Sequence, residues 1–270
     1  MNKLGALFLT LCLYSVSLVA YECQPCIGYY GDDIKNSCNS RLHSMPCPHF
    51  YVGIEGGWST GLGHANKSRG VGDNFTGIAE GPRATSGYNV GASLGYRWNC
   101  LLRTDLSYTY LHPKHYNWNT FFSVAGNNVT EPFKAHLHSH LVLLNTYMHL
   151  NALYCLFPWM DPYISGGVGV AVNRLDDIRE FPGELEGGPF FARIQSHTHT
   201  HFGARLGAGV MKYFCSCWIV DLGFNANYIG KVRSGNSRTF VSGAPRQPIG
   251  KYDFKNNWIG TFYLGLKYIY

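Results

Sequence analysis

Between Phe50 and Tyr270 the chain alternates apolar and polar residues with a period of two in eight separate stretches, and this recurrence restricts its fold more than any other feature. Such alternation marks a strand whose two faces meet unlike media. In 50–58, Phe50, Val52, Ile54 and Trp58 oppose Tyr51, Gly53, Glu55 and Gly57. In 88–98, Tyr88, Val90, Leu94 and Trp98 oppose Asn89, Ser93 and Arg97; in 102–110, Leu106, Tyr108 and Tyr110 oppose Arg103, Asp105 and Ser107. The fifth to eighth stretches are 163–173, 197–213, 218–228 and 258–270. The seventh is the most regular, with Trp218, Val220, Leu222 and Phe224 against Asp221, Gly223 and Asn225. The fourth, 135–149, is the least regular. His136, His138 and His140 share one parity, but Asn145 falls on the other, among apolar positions expected to face outward. A bulge between them would reconcile the two halves.

The connections alternate in length. Residues 59–87, 111–134, 174–196 and 231–257 are long, polar and rich in Gly and Asn, whereas 99–101, 150–162 and 214–217 are short. Transmembrane barrels pair long outer loops with short periplasmic turns. Composition points the same way: aromatics make up 15% and charged residues only 14%, against ~25% charged in soluble domains. A secreted β-sandwich would need an unusually large core to absorb that composition. The expected fold is all-β: an eight-stranded antiparallel transmembrane up-and-down barrel over 50–270. Its lumen would hold Glu55, Asp105 and Asp221 with Arg97, Arg103, Arg205 and Lys267, a nearly balanced ionic set that an eight-stranded interior is just wide enough to contain. Trp98, Trp159 and Trp218 beside short turns, and Trp58 and Trp258 beside long loops, fit two interfacial girdles.

Residues 1–20 read as a secretory signal, with Lys3 ahead of an apolar run and Ala20 at the cleavage position. Leu9-Thr10-Leu11-Cys12 is a poor lipoprotein box, because Leu11 sits where a small residue belongs. No later run approaches the ~20 apolar residues a spanning helix needs. The net charge of +6 is spread without a basic run, so no nucleic-acid partner is expected.

Three motifs carry a family resemblance. The run from Pro162 to Ala171 (PYISGGVGVA) resembles the fifth strand of OmpA-like and opacity-type outer-membrane barrels. Asp221-Leu222-Gly223-Phe224 is similar to that family's penultimate strand. The ending, with Tyr263, Gly265, Tyr268 and Tyr270, resembles the terminal signal read by the barrel-assembly machinery, with Tyr270 in place of the usual Phe. The resemblance implies a surface barrel in a Gram-negative outer membrane, both termini periplasmic, that meets outer-membrane lipid and host or environmental ligands. It implies no specific activity.

Cys12 leaves with the signal. Cys23, Cys26, Cys38 and Cys47 lie in the segment 21–49, and Cys100, Cys155, Cys215 and Cys217 in the short turns. In this topology all eight fall on the periplasmic side, where oxidation favours disulfides. They would tie the N-terminal segment beneath the barrel or link neighbouring chains into a homo-oligomer. A zinc site begun by Cys23 and Cys26 is the rival.

Two histidine tracts, His136-Leu-His138-Ser-His140 and His197-Thr-His199-Thr-His201, each place three imidazoles on one strand face. Two strands apart, they would stand about 10 Å from each other, with His112 and His115 at the same rim. They are candidate metal ligands, a pH-responsive rim or, more plainly, polar lumen and rim side chains. No cofactor is expected. For catalysis only Ser139 between His138 and His140 stands out, and strand neighbours point to opposite faces; Asp176, Asp177 and Glu180 are an acidic group in a long loop. The readings left are a surface barrel with a structural or binding role, a small porin, and, least favoured, a lipid-modifying or proteolytic enzyme.

Overall fold

A computed structural model describes residues 49–65, 68–72, 75–99, 101–113, 115–124, 127–151, 160–182, 190–213 and 217–270. In chain order its strands are β1 (His49–Gly61), β2 (Ser68–Gly72), β3 (Phe75–Ala79), β4 (Arg83–Ala84), β5 (Gly87–Arg97), β6 (Leu102–Pro113), β7 (Tyr116–Val124) and β8 (Asn127–His149). There follow β9 (Asp161–Glu180), β10 (Ala192–Ile194), β11 (His197–Tyr213), β12 (Trp218–Arg233), β13 (Ser237–Phe240), β14 (Gln247–Pro248) and β15 (Asp253–Ile269). Among the described residues no helix is long and apolar enough to cross a membrane.

Eight of these strands close a ring. β1 pairs β5, β5 pairs β6, β6 pairs β8 and β8 pairs β9, all antiparallel. β9 then pairs β11, β11 pairs β12 and β12 pairs β15. The last ladder, β15 on β1, runs from Tyr51↔Ile269 to Gly61↔Ile259 and leaves the barrel with no free edge. The eight alternating stretches are these eight strands. The fold is an eight-stranded antiparallel transmembrane barrel.

The strands overrun the alternation at one end. β8 has 23 residues and β9 has 20, where a membrane crossing needs only ~9–11. The excess on β8 is roughly 40 Å of strand at ~3.3 Å per residue. The segments expected as long loops are in large part strand: β7 pairs along β8 from Tyr116↔Ala135 to Val124↔Asn127, and β10 bridges β9 and β13. They missed detection because above the lipid the two-media contrast that produces clean alternation is replaced by an ordinary inside and outside.

One end of the barrel is therefore short-turned and the other carries a sheet that continues the wall. This extended end has its own apolar core. Tyr116, Trp118, Phe133, Leu137, Leu175, Ile178, Tyr252 and Phe254 belong to one buried cluster. Trp118 stacks on Phe133 with ring centroids 5.1 Å apart and planes at 2°. In β9 a bulge sustains this packing. Between the pairs Lys134↔Arg179 and His136↔Asp176 the strand holds one extra residue, and Asp177 takes a left-handed φ of 45°. That extra residue turns Ile178 into the core, where it is fully buried.

Candidate functional site: the lumen and the outer wall

Within the lipid-crossing part of the barrel the interior is polar. Tyr51, Arg103, Asp105, Asn145, Asp221 and Lys267 are all buried, at 5% exposure or less. Lys267 Nζ is ion-paired with Asp221, and Arg103 Nη2 lies 4.0 Å from the same carboxylate. Tyr163 donates to Asp221 Oδ1 at 2.5 Å, and its hydroxyl also meets that of Tyr263. Asp105 accepts from Tyr51 at 2.9 Å and from Asn145 Nδ2 at 2.7 Å. Arg103 is also boxed by rings, its Cζ standing 3.9 Å from the centroid of Tyr147 and 5.2 Å from that of Tyr51. Two cations and two carboxylates balance one another here, as buried charges require. Higher up, Arg205 lies 3.9 Å from Glu55 and donates to Thr109 and Asn227. Arg97 turns to Asp161 at the short-turn end, 3.5 Å away, where His149 also meets that carboxylate at 2.9 Å.

Glycines make room for these side chains. Tyr51, Tyr163 and Tyr263 each stand directly opposite a glycine on the next strand, at Gly95, Gly209 and Gly223 respectively. A Cβ on any of the three glycines would come within 2.7 Å of the tyrosine ring or hydroxyl. Above this layer the lumen becomes apolar. Leu111, Leu137, Leu141, Leu143, Ala171, Ile229, Val232 and Ile259 fill it, so an ionic lower half sits under an apolar upper half.

The two histidine tracts lie on opposite faces of the wall. Between His136 and Met148 of β8 the buried residues are Leu137, Ser139, Leu141, Leu143, Asn145 and Tyr147. Alternation runs unbroken from His136 to Met148, and the only register shift against β9 comes before the tract. The expected bulge between the histidines and Asn145 is absent, so Asn145 faces the lumen and His136, His138 and His140 face outward. This corrects the lumen reading of the first tract. His197, His199 and His201 pair with Leu175, Asn173 and Ala171, and so share the inward face. His201 packs on Gly230, whose φ is 72°. There β12 is bulged, and Asn173 Nδ2 donates to the carbonyls of Ile229 and Lys231. The tracts do not converge. Among the described residues no group of three or more His, Cys, Asp or Glu side chains is placed to hold a metal.

Cys217 lies half buried just ahead of β12, where its carbonyl accepts from Ile269 N. Cys23, Cys26, Cys38, Cys47, Cys100, Cys155 and Cys215 lie outside the described residues, as do the expected signal segment 1–20 and Trp159. Of the terminal motif, Tyr263 and Gly265 face the lumen, while Tyr268 and Tyr270 face outward. Sequence reasoning missed the burial of two acids, Asp161 at the short-turn end and Glu180. Glu180 is fully buried at the extended end, ion-paired with Arg238 and hydrogen-bonded by Glu131. Its stretch of sequence carries no sign of burial, because the apolar core around it is discontinuous in sequence.

A closed eight-stranded ring, an outer belt of exposed apolar residues such as Ile54, Leu94, Leu106, Leu206, Leu222 and Leu264, and a charge-balanced lumen define an integral outer-membrane barrel. The chain belongs to the family of the outer membrane protein beta-barrel domain, which matches residues 47–269. This agrees with the OmpA-like and opacity-type resemblance. Among solved structures it is similar to Neisserial surface protein A (NspA), at 18% identity and a TM-score of 0.40, covering 81% of this chain and 96% of that one. It is also similar to the outer membrane protein OprG from Pseudomonas aeruginosa, at 12% identity and a TM-score of 0.42 over 82% and 96%. A third is the outer membrane protease OmpT from Escherichia coli, at 9% identity and a TM-score of 0.43 over 82% and 97%. Among curated proteins none matches the chain significantly.

Proposed function

We propose that this protein is a non-enzymatic surface barrel that holds a rigid β-structured platform outside the cell and binds host or environmental ligands there. In this reading residues 1–20 are removed on export. The short-turn end and both termini are periplasmic, with the mature cysteines forming disulfides on that side. The barrel-assembly machinery inserts the chain through its C-terminal Tyr263, Gly265, Tyr268 and Tyr270.

The observation that carries the reading is the extended end. A dozen residues of β8 and much of β9 run past what the lipid requires and enclose an apolar core of their own. Ordering so much chain costs about 1–2 kcal/mol per residue in backbone entropy, and membrane anchoring does not need it. The lumen supports the same reading over a porin, because ionic pairs occupy its lower half and aliphatic side chains its upper half.

Two measurements test this. Cells expressing the wild type should bind epithelial cells or matrix proteins more than cells expressing a barrel whose segment 234–250 is replaced by a short turn. Equal binding would remove the ligand-binding role. Purified barrel in planar bilayers should give no reproducible openings, and steady unitary conductance would favour the porin.

A further inference from the structure

The first histidine tract lies in a particular row of the outer wall. Moving up the outward faces of β6, β8 and β9, the aliphatic residues Leu106, Leu144 and Val168 give way to Tyr108, Val142 and Val170, all exposed. Next comes Tyr110 opposite His140, itself opposite Val172. Above that, His138 stands opposite Arg174, and the His112 and His138 rings are 4.6 Å apart. The polarity of the outer surface therefore changes within two rows. On the opposite side of the barrel β12, β15 and β1 present Tyr228, Trp258 and Trp58 outward as an aromatic girdle, and the cations that follow on β12, Lys231 and Arg233, are both ion-paired with Asp253.

The hydrogen bonds orient these rings. The Tyr110 hydroxyl is 2.6 Å from His138 Nδ1, and that of Tyr108 is 2.7 Å from His140 Nδ1. With each phenol donating, Nδ1 accepts and the ring proton is left on Nε2, free for a further acceptor. Beside them Arg174 is 56% exposed, with one Nη2 contact to Asp176 at 2.8 Å. Asp176 is itself engaged by Ser196 Oγ at 2.5 Å. The other ionisable groups on this patch are His112, His136 and His115, whose ring is 5.6 Å from that of His136, with Tyr88 on the β5 side, while β11 offers the uncharged Thr198 opposite Arg174.

We infer that this patch is a binding site for the phosphorylated headgroup of an outer-leaflet glycolipid, held by His138, His140 and Arg174. Its acyl chains lie along Val142, Leu144, Val168 and Val170 below. Imidazole N–H and guanidinium groups suit phosphate oxygens through charge-assisted bonds, and the adjoining aliphatic strip distinguishes a lipid from a free anion. The outer-leaflet assignment rests on the orientation proposed above.

The test uses full-length mature barrel in phosphatidylcholine nanodiscs, loaded with bisphosphorylated lipid A or its dephosphorylated counterpart and read by native mass spectrometry. The phosphorylated form should be retained about tenfold better, and Arg174→Gln with His138→Gln should bring the two within about twofold. The Arg174→Gln single variant, at an exposed site, should keep heat-modifiable mobility and give an intermediate loss. Equal retention of the two lipids, or an unaltered preference in the variants, overturns the inference. So does displacement of the lipid by inorganic phosphate alone, which would mark a free-anion site. Orientation is read separately, by labelling Val241→Cys on intact cells with an impermeant maleimide, above the parent background. If labelling fails while lipid selectivity persists, the surface reading falls and the outer-leaflet assignment falls with it. If labelling succeeds and selectivity fails, only the lipid site is lost.

Discussion

Tyr51 lies flat across Gly95 of the neighbouring strand, so that a Cβ at position 95 would be 2.2 Å from the tyrosine Cζ. The ring hydroxyl reaches on to Asp105. Gly95→Ala is expected to destabilise the barrel by about 1–3 kcal/mol, the usual cost of overpacking. Urea titration of the folded barrel in detergent measures it. Tyr51→Leu would remove one of the two donors to Asp105 and leave it with Asn145, and the double variant should cost less than the sum of the singles, because one clash is then absent.

Asp221 balances both Lys267 and Arg103. Asp221→Asn leaves two buried cations facing one carboxylate, Asp105, and is expected to cost about 3–5 kcal/mol. Bilayer recordings of the same variant should remain silent, because Leu111, Leu141 and Leu143 still fill the lumen above it.

Trp118 stacks on Phe133 and packs against Phe254 in the core of the extended end. Trp118→Ala should cost that region about 3–5 kcal/mol. Limited proteolysis is expected to shorten the extended end while the heat-modifiable barrel fragment survives intact.

Glu180 lies beyond the lipid, buried against Glu131 and Arg238, and burial pushes its carboxyl well above the ordinary carboxylate range. The fold thus favours the protonated acid. Its contribution is complete below the unfolded-chain value and is lost as pH rises through the raised folded value. Thermal unfolding of the extended end, followed by Trp118 fluorescence, should show a midpoint that falls from about pH 5 to pH 9. Glu180→Gln should flatten that slope. An unchanged slope would mean that Glu180 stays ionised against Arg238.

Most of the barrel was legible because lipid and lumen impose opposite demands on alternate residues, as in Trp218 to Tyr228. The fourth strand shows where this legibility ends. Its alternation is continuous, but the meaning of each face reverses along it. Val142 and Leu144 face lipid, while Leu137, Leu141 and Leu143 face an apolar interior above the ionic layer. Periodicity identifies two faces without naming their surroundings, so the sequence alone leaves His138 between lumen and rim. The ionic residues were readable, since charge on the inner parity has few other places to go. Their partners were not. Asp161 escaped notice because it lies at a strand end, where alternation has no power.

β8 and β9 pass from lipid into the extended end as members of the same hydrogen-bonded ladder, with one bulge at Asp177 and no linker between platform and anchor. Among the described residues these two strands offer no swivel. A ligand that pulls on the far end applies torque directly to the barrel wall, and shear on that ladder reaches the lipid contact within the same two strands. Attachment through this protein would behave as a stiff mast, whose orientation is fixed by the membrane plane, rather than as a tether free to search.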